Sequence, residues 1–305
     1  MKLSSVIAIL SSASACTAIP FRTWRRQTLS QMTDPDILRY ALTLEHLEDK
    51  FYREGLANFT AADFAAAGFD STFYANLQQI SKDETTHVAF LTSALEAANE
   101  PVVAECTYAF GITSPSAFVA TASILEGVGV SAYLGAAAQI MSKGYLTAAG
   151  SILTIEARHS SYLRAALAKL PFPQPFDAPL SPDEVFSLAW AFVVSCPASN
   201  PALPLKPFPA LALATAGPVQ SGDSITREAG VVLAPKDASA HLYAAFASVT
   251  GPVFATLTPG ADALSWKVLV PQGVNGQSYV VLTKCNETVT DDTVVAGPAL
   301  VEVTN

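Results

Sequence analysis

"SILEGVGVSAYLGAA", residues 123–137, contains one carboxylate, Glu126, and it is the only charged side chain between Pro115 and Ser142. The rest of the stretch is Ala, Val, Gly, Leu, Ile and Ser, the composition of a helix buried on most of its circumference. A carboxylate on such a helix is costly to bury unless something pairs with it. Tyr133 follows seven positions later, almost two full turns, so both side chains lie on one helical face. What that face meets decides the fold.

The rest of the chain supplies the partners. An earlier helical run, "LEHLEDKFY", repeats the spacing with Glu45 and Tyr52. Two other runs carry a second matched pattern: "DETTH" sets Glu84 three residues before His87, and "EARH" sets Glu156 three before His159. Residues at i and i+3 also share a helical face. The order is Glu…Tyr, Glu-x-x-His, Glu…Tyr, Glu-x-x-His, one element per helix. Four inward carboxylates and two imidazoles nearly neutralise two divalent cations; carboxylate oxygens bridge ions, and a neutral imidazole suits Fe or Mn. The pattern therefore predicts two Fe or two Mn ions.

Helical periodicity, caps and breaks predict five main helices. Asp34-Pro35-Asp36 opens the first, the second covers about 71–99, and Pro101 to Thr113 forms a long connection. Ser114-Pro115 opens the third, reaching about Ser142; the fourth covers about 145–169, until "LPFPQPFDAPL" stops it. Ser181-Pro182-Asp183-Glu184 is a capping box for a fifth, about 182–195. Beyond that, "CPASNPALPLKPFPAL" reads as an extended Pro-rich linker, and "GPVFATLT", "SWKVLVP", "QSYVVLT" and "ALVEV" read as short strands of a small β-sandwich. The expected fold class is α+β with two domains: a helical bundle over 31–196, a linker over 197–220 and a β-rich domain over 221–305.

This arrangement resembles the ferritin-like di-metal carboxylate bundle over roughly residues 30–170, including the long crossover between two helical hairpins. "ALTLEHLEDKFYREGL" beside "DETTHVAFL" resembles, more narrowly, the secreted fungal ferritin-like proteins grouped with stress-response, desiccation-related and sexual-development proteins. The resemblance implies metal ligands at Glu45, Glu84, His87, Glu126, Glu156 and His159. Glu48 is an alternate: a seventh ligand, a proton carrier or a solvated group. Tyr52 and Tyr133 are either core aromatics or donors to ligating carboxylates across the bundle. Glu126 could instead pair with Arg158 or stay protonated. His46 is off register, Asp83 and Arg158 read as charges that ion-pair between neighbouring helices or form surface salt bridges, and His241 has no evident partner.

Half of the 305 residues are hydrophobic and 14% are charged, so a sizeable core is expected. A net charge of −9 argues against nucleic acid or an anionic membrane as partner. "MKLSSVIAILSSASACTA", residues 1–18, reads as a secretory signal peptide, with 19–30 as a propeptide ending near Arg25-Arg26. Asn58-Phe59-Thr60 and Asn286-Glu287-Thr288 are glycosylation sequons at Asn58 and Asn286. Cys106, Cys196 and Cys285 then allow at most one disulfide, of undetermined pairing. The expected location is extracellular or at the cell wall, with no membrane span. Two functions follow: redox chemistry with O2 or peroxide, or a non-enzymatic role in metal sequestration or wall association, the β-rich part serving for contact.

Overall fold

The computed structural model describes residues 32–213, 219–220, 223–229, 242–259 and 265–304. The leader, the dibasic pair and His241 lie outside these residues. Four long helices form the bundle: α1 (Asp34–Asn58), α3 (Ser71–Ala97), α4 (Pro115–Ala136) and α5 (Lys143–Ala166). A short helix, α2 (Ala61–Ala66), lies in the turn between α1 and α3, and α6 (Pro182–Trp190) packs on α1 and α4. α1 pairs with α3 and α4 with α5, the two hairpins being joined by the long connection after Ala97.

Local chemistry sets the boundaries. α1 is capped by Thr33, one residue before the expected Asp34, because Thr33 and Asp36 exchange the reciprocal hydrogen bonds of a capping box. Asp34 is thereby released to accept from the backbone N–H groups of Met141 and Ser142, at 2.8 and 2.9 Å. These bonds hold the α4–α5 turn, and α4 ends at Ala136, short of Ser142, with a single 3-10 turn over Ala137–Gln139. The capping box at Ser181 and Glu184 forms as expected. α6 stops at Trp190, not near 195, because Val193–Ser195 (β2) leaves the helix to pair with Thr107–Tyr108 (β1) in the long connection. Beside this pairing, Cys106 and Cys196 form the disulfide, and among the described residues Cys285 is the free thiol.

The C-terminal part is one antiparallel sheet. Its strands are β3 (Leu211–Leu213), β4 (Ser224–Ala229), β5 (Tyr243–Phe246), β6 (Val253–Pro259), β7 (Ser265–Leu269), β8 (Gly276–Thr283) and β9 (Val294–Val303). Their order is β3-β4-β7-β6-β5-β8-β9. The sheet curls until its edges meet: Gly297 N–H donates to Pro209 O, and Val219 bridges to Val303. Phe246, Val268, Val280, Leu282 and Val301 fill the enclosed core. Within the stretch expected as linker, Leu211–Leu213 thus belongs to the sheet.

The sheet is seated on the outer side of α4 and α5. Tyr279 Oη donates to Gly127 O at 2.9 Å, and Gln277 Nε2 donates to Ile124 O at 3.1 Å. The buried Arg164 holds both oxygens of Glu302, at 2.8 and 3.1 Å, and Lys169 joins them. Small residues on α4 permit this approach. The run Pro115–Gln139 is long and apolar enough to cross a bilayer, but 67% of it is buried inside the protein. Its apolarity is that of a core helix pressed on two sides.

Candidate metal centre

Each long helix turns one matched element inward. Glu45, Glu84, Glu126 and Glu156 have no exposed surface, and His159 is almost as fully enclosed. Glu84 and His87 come from α3, Glu156 and His159 from α5, while α1 and α4 each contribute one glutamate of the expected set. His87 Nδ1 lies 3.1 Å from Glu45 Oε2 and 3.1 Å from Glu84 Oε2. His159 Nδ1 mirrors it, 3.1 Å from Glu126 Oε2 and 3.2 Å from Glu84 Oε1. The tyrosines cross between α1 and α4. Tyr52 Oη donates to Glu126 Oε1 at 2.5 Å, and Tyr133 Oη donates to Glu45 Oε1. The Glu-x6-Tyr spacing puts each phenol level with the glutamate of the opposite, antiparallel helix.

Ligand atoms gather in two overlapping groups, each within 4.8 Å. One is Glu45, Glu84, His87 and Glu156; the other is Glu84, Glu126, Glu156 and His159. Glu84 and Glu156 belong to both. The chemistry of these groups fits cations. Both oxygens of Glu156 are buried with no hydrogen-bond partner, His87 Nδ1 lying 3.6 Å from Oε1, which is expensive for acceptors of this strength.

Titration behaviour points the same way. Burial, with the charges of Glu84, Glu48, Glu126 and Glu45 added, holds Glu156 well above the ordinary carboxylate range. Burial raises Glu84 and Glu126 as well. For the histidines burial works in the opposite direction, but the surrounding carboxylates outweigh it. Glu45 and Glu84 push His87 up to about 10, and Glu126 and Glu84 do the same to His159. In the metal-free protein, protons thus supply positive charge where cations would displace them.

Three further residues have open readings in the sequence. Glu48 is buried, which leaves the ligand and proton-carrier roles, and burial with the charge of Glu45 pushes it well above its usual range. Asp83 pairs with a neighbouring helix, as expected, and its partner is His159: its Oδ2 lies 3.3 Å from His159 Nε2, the kind of contact that orients an imidazole for a metal. Its position one residue before Glu84 was the available signal, but only the packing of α3 on α5 reveals the partner. Arg158 is exposed and turned to Thr154, away from Glu126. His46, outside the cluster, contacts Val103 O at 2.9 Å. Gly129 carries no sequence signal, yet a Cβ there would lie 2.5 Å from Glu156 Oε2 and 3.2 Å from Glu48 Oε1. Only glycine leaves those carboxylates their space.

Residues 33–169 match the family model for a ferritin-like domain. That span covers all four long helices and every side chain of the cluster. Protein rds1 of Schizosaccharomyces pombe is 28% identical over 180 residues, an alignment covering 59% of this chain and 44% of that protein. The chain thus spans under half the length of this fungal relative. The match gives the helical part as a ferritin-like domain, and the sheet lies outside the matched residues.

Proposed function

We propose that the cluster binds two transition-metal ions, iron or manganese, and uses them for redox chemistry with O2 or peroxide. The observation that carries this reading is the pair of four-residue groups sharing Glu84 and Glu156. Glu45 and His87 would complete one position, Glu126 and His159 the other, with Glu84 and Glu156 reaching both. Two adjacent ions of this kind supply one-electron steps between the +2 and +3 states. The protein's own groups hold the site in shape. Tyr52 and Tyr133 fix one oxygen each of Glu126 and Glu45, leaving the other oxygen inward. Asp83 fixes the ring of His159, and Glu48 is a buried acid beside the cluster that can hold or give up a proton.

The reading includes export, with residues 1–18 as the leader. The Cys106–Cys196 disulfide is the bond of an oxidising compartment, and Asn58 and Asn286 are both exposed, as glycosylation requires. Elemental analysis of the purified protein, with an optical spectrum after addition of O2 or peroxide, tests the proposal. Two Fe or Mn per chain with oxidant consumption is expected. Two ions without consumption would leave metal sequestration as the function, and protein empty of transition metal after careful preparation would refute both.

A further inference from the structure

At the end of the bundle where α1 and α5 begin, the four long helices leave a cavity of about 30 Å³. Leu38, Ala41, Leu91, Ala136, Ala149 and Ile152 are among the side chains that enclose it. Phe90, 44% exposed, borders it on the solvent side. Tyr133 borders it on the other, and the Tyr133 hydroxyl is bonded to Glu45 of the cluster. Tyr133 thus touches both the cavity and a candidate ligand.

Size and polarity choose the occupant. A water molecule needs about 10–15 Å³ of such space, so the cavity accepts a guest of about two atoms. A buried water also needs about two to four polar partners. Two of those on the walls are committed, Asp34 accepting from the Met141 and Ser142 backbone and Tyr133 donating to Glu45, and a third, Tyr145, is only half-buried. The buried hydroxyl of Tyr40 has no partner, but one group falls short of what holds a water. Peroxide, with two O–H donors and two acceptor oxygens, would lose its hydrogen bonds on entry. Dioxygen has none to lose.

We infer that this cavity admits dioxygen to the carboxylate cluster, entering past Phe90 and reaching the ligands along Tyr133. The inference rests on the redox reading above and narrows it, making O2 and not peroxide the oxidant this face of the site receives. Its first test needs neither metal nor turnover. Metal-free protein with labelled methyl groups is compared by NMR under oxygen and under argon, dissolved O2 broadening the signals it approaches. The methyls of the buried Ala41 and Ile152 should broaden severalfold more than those of Ala122 and Leu77, which are buried toward the other end of the bundle. Equal broadening overturns the inference. In metal-loaded protein, Ala149→Leu, which fills the cavity from a half-buried position, should raise KM for O2 severalfold and leave any peroxide-driven rate unchanged. An unchanged KM also overturns it. Selective broadening in a metal-loaded protein that consumes neither O2 nor peroxide supports the cavity as an O2 pocket and refutes the redox reading instead.

Discussion

Glu156→Gln separates a metal ligand from a structural carboxylate. Glu156 is fully enclosed, both its oxygens lack partners, and its pKa is held well above the usual range by burial and by four neighbouring glutamates. In metal-free protein that shift favours the neutral acid, and glutamine is a neutral group of the same shape. Metal-free variant and wild type should differ by no more than about 1 kcal/mol. Metal makes them diverge. At a hundredfold excess over the dissociation constant, one bound ion adds about 2.7 kcal/mol to the wild type. At about 2–4 °C per kcal/mol, that raises Tm by about 5–10 °C. The variant loses the charge and one oxygen of a ligand common to both positions, so most of this rise should vanish. Thermal unfolding with and without Fe(II) or Mn(II), paired with metal content, measures both arms. A metal-free variant already destabilised by several kcal/mol, or a full metal-induced rise in the variant, would refute the reasoning.

Gly129→Ala should leave the fold at least as stable, since alanine improves a helix interior by about 1 kcal/mol and the group it meets is a side-chain end that can swing aside. The metal-induced rise in Tm should nevertheless shrink, because the displaced group is Glu156; an undiminished rise would count against the geometry. Tyr133→Phe removes the donor to Glu45 and should weaken metal binding about 10–100-fold without lowering the final stoichiometry, as titration calorimetry would show. Glu184, buried at the start of α6, is pushed up to about 7 by burial, so its contribution to stability is complete below about 4.5 and is lost as pH rises through 7. The loss amounts to about 3 kcal/mol, and Glu184→Gln, which keeps the acceptor for Ser181 N–H, should be stabilising at pH 8 and neutral near pH 4.5 in urea unfolding. Parallel pH profiles would contradict this.

The helical half was legible because its signals are local. Glu84 and His87, or Glu126 and Tyr133, share a face by spacing alone, and one such face on each of four helices leaves few ways to pack them. The caps at Ser114 and Ser181 were legible for the same reason. What escaped depends on contacts between distant segments. Asp34 lost the cap of α1 to Thr33 while serving a turn more than a hundred residues away. Asp83 found its partner on another helix, and β2 cut α6 short by pairing with a strand from the crossover. The sheet illustrates the limit: its strands can be read from alternation, but placing β7 between β4 and β6 depends on pairings that no single segment encodes. The free backbone edge beside Glu156 at Gly129 was invisible because the informative feature is a missing side chain.

The Cys106–Cys196 bond closes a covalent ring that contains α4, α5 and α6, and with them Glu126, Glu156 and His159. Glu45, Glu48, Glu84 and His87 lie on the chain before it. Ions held between the two sets would clasp the ring to the preceding hairpin, so the molecule has two locks answering to different keys. A chelator opens one and a thiol the other. The thiol would loosen only the second hairpin and its crossover, the chelator only the clasp between hairpins, and in either case the apolar core shared by all four helices still holds them together.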